Sequence, residues 1–210
     1  MKILVLGVGP GAAEYVLPRV RELALTCQVL IGGRRNLELF PDFGGEKKEI
    51  GRDIPELLTF MEKRLREGRR QGVLVSGDPG LFSLLPLLRR SFPPELLEVV
   101  PGISSLQYLF ARIGIPWHDA AVISMHGRKV EELPRIVRDN AVVGIFTGGE
   151  DAPARICSLL LQEGIKDRKV YVGENLSYEN EKIQCGSVEN TCGLRAGKLN
   201  VMVIIDEKRC

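Results

Sequence analysis

Ile3-Leu4-Val5-Leu6-Gly7-Val8-Gly9-Pro10-Gly11-Ala12 sets a short apolar run against glycines and a proline near the start of the chain. An apolar run bounded by turn residues predicts a buried strand, and small residues beyond it predict a loop whose backbone can approach a neighbour closely. The same arrangement returns at Val73-Leu74-Val75, which runs into Ser76-Gly77-Asp78-Pro79-Gly80, and at Leu97 to Val100, which runs into Pro101-Gly102-Ile103-Ser104-Ser105. Val29 to Ile31 is a further apolar run. Helical stripes lie between them. Asp53 precedes Ile54, Leu57, Leu58, Met61 and Leu65, and Glu56 follows it at the capping-box spacing. Pro18 lacks an amide proton, so it either starts or kinks a first helix whose inward face is Val16, Val20, Leu23 and Ala24. Strand, loop and helix in alternation predict an α/β fold around a mainly parallel sheet.

The stripe Leu106, Leu109, Phe110 and Ile113 gives way to Gly114-Ile115-Pro116, where helix propensity drops. A lobe boundary is expected there, giving an N-terminal lobe of residues 1–114 and a C-terminal lobe of residues 115–210. The second half carries apolar runs at Ala121 to Ile123, Val142 to Phe146, Lys169 to Val172 and Leu199 to Ile205. Glu181 to Leu194 contains Gly186 and Gly193 and no helical stripe, which predicts a hairpin and so a mixed C-terminal sheet.

At 210 residues the chain is long enough to bury a substantial core, and a formal net charge of +2 argues against a nucleic-acid or membrane surface. Cys27, Cys157, Cys185, Cys192 and Cys210 are scattered and odd in number, with no C-x-x-C pair. Neither a disulfide framework nor a zinc site is expected, and a reducing cytoplasm fits. The run Ile3 to Leu6 is too short for a signal-peptide core, and no run approaches membrane-spanning length.

In open α/β sheets ligands bind beyond the carboxyl ends of the strands, so the loops after the apolar runs are where chemistry is expected. Besides the three quoted, Thr147-Gly148-Gly149-Glu150 and Gly173-Glu174-Asn175-Leu176-Ser177 occupy that position. Asp78 can accept from ribose hydroxyls or a ligand ammonium, or cap a helix beginning near Leu81; Ser104 and Ser105 can equally cap the next helix. Gly7, Gly9 and Ala12 also fit the dinucleotide pattern G-x-G-x-x-G/A, and Arg34 and Arg35 can hold the extra phosphate of NADP. An NADP-dependent oxidoreductase is thus the alternative. Against it, Pro10 removes an amide donor and no acidic residue ends the second strand. His118 and His126 have no companions at metal-ligand spacing, so no metal is expected; His126, in Ser124-Met125-His126-Gly127-Arg128, is the better substrate contact.

Taken in order, Gly7-Val8-Gly9-Pro10-Gly11, Ser76-Gly77-Asp78-Pro79-Gly80-Leu81-Phe82 and Val100-Pro101-Gly102-Ile103-Ser104-Ser105 resemble the tetrapyrrole methylase family of S-adenosyl-L-methionine-dependent enzymes. The resemblance covers essentially the whole chain. Gly32 to Leu39, Ser124 to Arg128 and Gly173 to Leu176 are similar to the branch that methylates carbon 5 of cobalt-precorrin-7 to give cobalt-precorrin-8 in cobalamin synthesis. The resemblance implies two α/β lobes with the methyl donor in a trough between them, and a homodimer. It also implies donor contacts at Pro10, Ser76, Gly77, Asp78, Leu81, Ser104, Ser105, Thr147 and Leu176, with S-adenosyl-L-homocysteine as product. Relatives of this branch are often fused to a second methylase that acts at carbon 15 and decarboxylates; with the chain stopping at Cys210, a separate partner is expected to supply that activity.

A polycarboxylate acceptor calls for charge-assisted hydrogen bonds, and Arg34, Arg35, His126 and Arg128 are the substrate-binding candidates. A sulfonium donor is already activated, so positioning alone can supply much of the rate and no nucleophile or metal is required. No catalytic general base is identified. Because this chemistry needs no signature nucleophile, a non-catalytic tetrapyrrole-binding protein is a further alternative.

Overall fold

In the computed structural model, which describes residues 2–125 and 132–209, Cα packing divides the chain into two compact units, Met1–Ser104 and Ser105–Cys210. The first unit runs β1 (Ile3–Gly7), α1 (Pro18–Leu25), β2 (Val29–Gly32), α2 (Arg34–Glu38), β3 (Glu46–Glu49), α3 (Ile54–Arg66), β4 (Gln71–Val75), α4 (Leu85–Ser91) and β5 (Leu97–Val100). Its strands form a parallel sheet in the order β3-β2-β4-β1-β5. The strand period of two splits each apolar run between faces. Leu4, Leu6, Leu30 and Leu74 pack with Val20, Leu23 and Ala24 of α1, while Ile3, Val5, Ile31 and Val73 pack with Leu57 and Met61 of α3 and Leu88 of α4.

Pro18 starts α1, the position where its missing amide proton costs nothing. Asp53 caps α3 by accepting from the Glu56 amide at 2.9 Å, and the Glu56 carboxylate meets Lys48 Nζ at 2.6 Å. Asp53→Ala is expected to lower stability by about 1 kcal/mol, which for a protein of this size is a fall of roughly 2 to 4 °C in Tm, with ligand affinity unchanged. Thermal melts of the two proteins check this. The strand β3, Glu46-Lys47-Lys48-Glu49, was not expected from hydropathy. It is an edge strand whose alternate residues are exposed, and charge on such an edge discourages pairing with another chain.

The second unit runs α5 (Ser105–Ile113), β6 (Ala121–Ser124), α6 (Leu133–Asp139), β7 (Val142–Phe146), α7 (Ala152–Gln162), β8 (Lys169–Glu174), β9 (Lys182–Ser187), α8 (Val188–Thr191) and β10 (Asn200–Ile205). Among the described residues its sheet has the order β6-β7-β10-β8-β9. The strands β6 and β7 are parallel, and β10 runs antiparallel between β7 and β8. On one face Met202 and Ile204 of β10 join Val137, Ile156 and Leu160; on the other, Val201, Val203 and Ile205 join Leu106, Leu109 and Phe110 of α5.

This packing moves the boundary. The apolar face of α5 is buried against β7 and β10, so the second unit begins at Ser105 rather than at residue 115. Glu181 to Leu194 does not form a hairpin within itself. Its strand β9 pairs with β8, and the chain then turns into α8, where Ser187 Oγ accepts from the Asn190 amide at 3.2 Å. Among the described residues no helix is long and apolar enough to cross a membrane.

Candidate functional site

All strands of the first sheet point their carboxyl ends to one edge, where the loops after β1, β4 and β5 meet. Val8 N donates to Val75 O at 2.9 Å, and Gly77 N donates to Gly9 O at 2.8 Å. The approach is backbone to backbone. A Cβ placed on Gly7 would lie 2.6 Å from Gly102 N and 2.7 Å from Gly77 O, and one on Gly102 would run into Gly77 O. The glycines of the three loops are therefore required by one another, before any ligand is considered.

Asp78 joins two of these loops. One carboxylate oxygen accepts from Gly80 N at 2.7 Å and the other from Gly102 N at 3.1 Å. Helix α4 begins only at Leu85, with Leu84 at its cap, so Asp78 is no helix cap. It remains partly exposed, and among the described residues it forms no ion pair, leaving an anionic group open to a cationic ligand. Around it, Leu81 N donates to Asp78 O at 3.2 Å, Pro10 and Leu81 are half-buried, and buried Ser104 immediately precedes α5. Gly77 and Ser104 are in contact across the two loops.

Ser76 Oγ donates to Asn36 Oδ1 at 3.1 Å, and Asn36 Nδ2 donates to Leu74 O at 3.3 Å, which docks α2 on the end of β4. Arg34 and Arg35 open that helix and are exposed; among the described residues Arg34 pairs only with Glu38, at 3.1 Å. An exposed ion pair contributes about 0 to 1 kcal/mol, so exchanging Glu38 for a ligand carboxylate costs little. Asn36, which holds Ser76 at this edge, is a residue that hydropathy did not single out.

The oxidoreductase alternative loses its footing here. Past Gly11 the chain makes a 3-10 turn at Ala13–Tyr15, and α1 starts only at Pro18, so no helix N-terminus follows the glycines to receive a pyrophosphate. The close approach that Gly7 permits is taken up by Gly77 and Gly102.

In the second unit the carboxyl ends of β7 and β8 share an edge with the start of β10. Buried Thr147 donates from Oγ1 to Asn200 O at 2.5 Å, and Asn200 Nδ2 donates to Gly197 O at 2.7 Å and Gly149 O at 3.1 Å. Buried Glu174 accepts from Gly197 N at 2.5 Å and Gln184 Nε2 at 2.7 Å. Leu176 turns its side chain into the core against Gly173 and Leu109. Thr147 and Leu176 thus stand at a strand-end edge with their side chains occupied internally. Glu174 and Asn200 were passed over as site residues, although each is a polar residue at the end of an apolar strand.

The turn after β8 is held from below by Glu181. Burial works to raise the Glu181 carboxyl, but the Ser177 amide at 2.7 Å, the Tyr108 hydroxyl and Arg112 at 3.0 Å outweigh it and hold the group below the usual carboxylate range. Ser105 is the first residue of α5. His126 and Arg128 lie outside the described residues, a short way past β6. His118 is exposed and pairs with Asp119 at 2.8 Å. Among the described residues no group of three or more His, Cys, Asp or Glu could hold a metal ion.

Known proteins are similar to this chain. The cobalt-precorrin-7 C(5)-methyltransferase of Salmonella typhimurium is 35% identical over 209 residues, covering 98% of this chain and 100% of that protein. The precorrin-6Y C(5,15)-methyltransferase [decarboxylating] of a Sinorhizobium species is 26% identical over 86% of this chain, a match that takes up 44% of its own length. The structure of uroporphyrin-III C-methyltransferase from Thermus thermophilus complexed with S-adenosylhomocysteine superposes with a TM-score of 0.80 at 22% identity, covering 100% of this chain and 99% of that one. A family model described as tetrapyrrole (corrin/porphyrin) methylases matches residues 2–191, and the chain belongs to that family.

Proposed function

We propose that the protein transfers the methyl group of S-adenosyl-L-methionine to carbon 5 of cobalt-precorrin-7, giving cobalt-precorrin-8 and S-adenosyl-L-homocysteine. The observation that carries this is the similarity to the Salmonella enzyme, 35% identical along its entire length. The edge of the first sheet supports it. Asp78 offers a carboxylate with no cationic partner among the described residues, and the donor brings an ammonium and a sulfonium. The donor contacts are Pro10, Ser76, Gly77, Asp78, Leu81 and Ser104, to which family resemblance adds Ser105 and the backbone at Thr147 and Leu176. Arg34 and Arg35 take carboxylates of the macrocycle, and His126 and Arg128 share that role. The reading extends to a homodimer, which the family resemblance implies, and to a separate partner for the carbon-15 step, an activity that the name of the longer Sinorhizobium relative joins to the carbon-5 one.

The reaction is an in-line displacement in which the ring carbon–methyl bond forms as the sulfur–methyl bond breaks and its electron pair stays on sulfur. The donor supplies the activated methyl. The work of the protein is to hold two partners in line, which is worth on the order of 7 to 11 kcal/mol where alignment is good. Incubation with cobalt-precorrin-7 and S-adenosyl-L-methionine should add the mass of one methyl group to the tetrapyrrole. Tight binding of NADPH with no response to S-adenosyl-L-homocysteine would overturn the proposal.

Asp78→Asn keeps the shape of the side chain and removes its charge. Donor affinity, read by titration with S-adenosyl-L-homocysteine, should fall by about tenfold or more, since charge-assisted hydrogen bonds contribute about 1.5 to 3 kcal/mol. The new amide can accept at only one oxygen, so the bond from either Gly80 or Gly102 is also weakened. Melting curves separate that loss from the binding effect.

A further inference from the structure

Two of the three non-glycine residues with positive φ among the described residues flank Leu176 in the turn after β8: Asn175 at 45° and Ser177 at 71°. Asparagine tolerates the left-handed region and serine much less so, and such backbone persists only where its surroundings fix it. Here they do so. Asn175 N donates to Leu199 O at 3.0 Å, Tyr178 N closes the turn on Asn175 O at 3.0 Å, and Glu181 Oε2 accepts from Ser177 N at 2.7 Å. Tyr108 and Arg112, one helical turn apart on α5, meet the same Glu181 carboxylate, whose side chain is 13% exposed. Leu176 between them has its side chain in the core, and among the described residues neither its N–H nor its C=O forms a hydrogen bond. Backbone groups at so nearly buried a residue carry a desolvation cost until something pairs with them.

We propose that Glu181 is a positioning residue for methyl transfer: it keeps Asn175–Ser177 in the left-handed turn and so holds the main chain of Leu176 ready for the methyl donor. This deepens the reading of Leu176 given above and rests on it. The two carboxylate oxygens are taken by Ser177 N and Arg112 Nε, so Glu181 acts through the turn and not by touching the donor. Without that clamp the turn relaxes, and a ligand that binds only the strained form loses apparent affinity in proportion to the population lost. Saturating donor restores the form, because binding favours it.

Glu181→Ala tests this, read by S-adenosyl-L-homocysteine titration, equilibrium binding of cobalt-precorrin-7 followed by absorbance, steady-state turnover and thermal melts. Donor affinity should fall, and KM for S-adenosyl-L-methionine rise, by about fivefold or more. At saturating donor kcat should stay within about twofold, as should tetrapyrrole affinity. Glu181→Gln keeps an oxygen for Ser177 N and should recover most of the loss. Should Glu181→Ala fail to fold, Glu181→Asp, which keeps a charge for Arg112 but is too short to hold Ser177 in the same geometry, carries the same expectation. A fall in Tm with donor affinity intact would refute the positioning role, as would equal losses of donor and tetrapyrrole affinity, or equal losses in the Ala and Gln variants. If wild type and Glu181→Ala bind S-adenosyl-L-homocysteine equally well, the positioning role fails and the proposed function stands. If wild type gives no response to it, both fail.

Discussion

Gly7→Ala is expected to melt well below wild type and to lose measurable affinity for S-adenosyl-L-homocysteine. The added methyl would sit 2.6 Å from Gly102 N and 2.7 Å from Gly77 O, and both are backbone atoms. No side chain can rotate away to make room, so the loops after β1, β4 and β5 must separate. Overpacking of this kind costs about 1 to 3 kcal/mol and sometimes more, or roughly 2 to 4 °C in Tm per kcal/mol in a protein of this size. The separation also pulls Gly102 away from Asp78, which removes the geometry proposed for the donor. Gly33→Ala is the control, since a Cβ there meets nothing within 4 Å. Equal melting of Gly7→Ala and Gly33→Ala would contradict the loop packing described.

Phe110→Ala should be more destabilising still, by about 3 to 5 kcal/mol. The ring is 1% exposed, stacks on Trp117 with centroids 5.9 Å apart, and lies so close to β7 that a Cβ on Gly144 would be 3.2 Å from Cε2. Hydrogen exchange locates the effect. Protection should fall in β7 and β10 while β1 and β4 keep theirs, because α5 shares its core with the second unit. A loss centred on β1 and β4 would return α5 to the first.

How far the sequence foretold this depends on what each signal measures. The buried strands β1, β2, β4, β7, β8 and β10 coincide with runs of apolar residues, since burial on both faces demands them. Asp53 and Pro18 declared helix starts through chemistry local to a few residues. The charged edge strand β3 has no such signature, because half of it faces water. Placement of α5 was equally hidden: its stripe at Leu106, Leu109 and Phe110 announces a buried face and is silent about which sheet covers it. The site shows the same division. Loops rich in glycine marked the edge, yet the partners of Asp78, Ser76 and Thr147 lie in distant segments, and side-chain pairs such as Ser76 with Asn36 leave no periodic trace.

The position of β10 has a consequence for how the protein is made. Synthesis delivers residues at about 5 to 20 per second, in order from the amino terminus. Everything the first sheet needs has emerged by Val100, so that sheet can close while the rest is still being translated. The second cannot follow the same course. Its middle strand, Asn200–Ile205, is the last to appear and supplies side chains to both of its cores, so β7 and β8 must wait with bare inner edges and uncovered valines. During that interval the nascent chain is most exposed to pairing with a neighbour, and it is there that a chaperone would be needed.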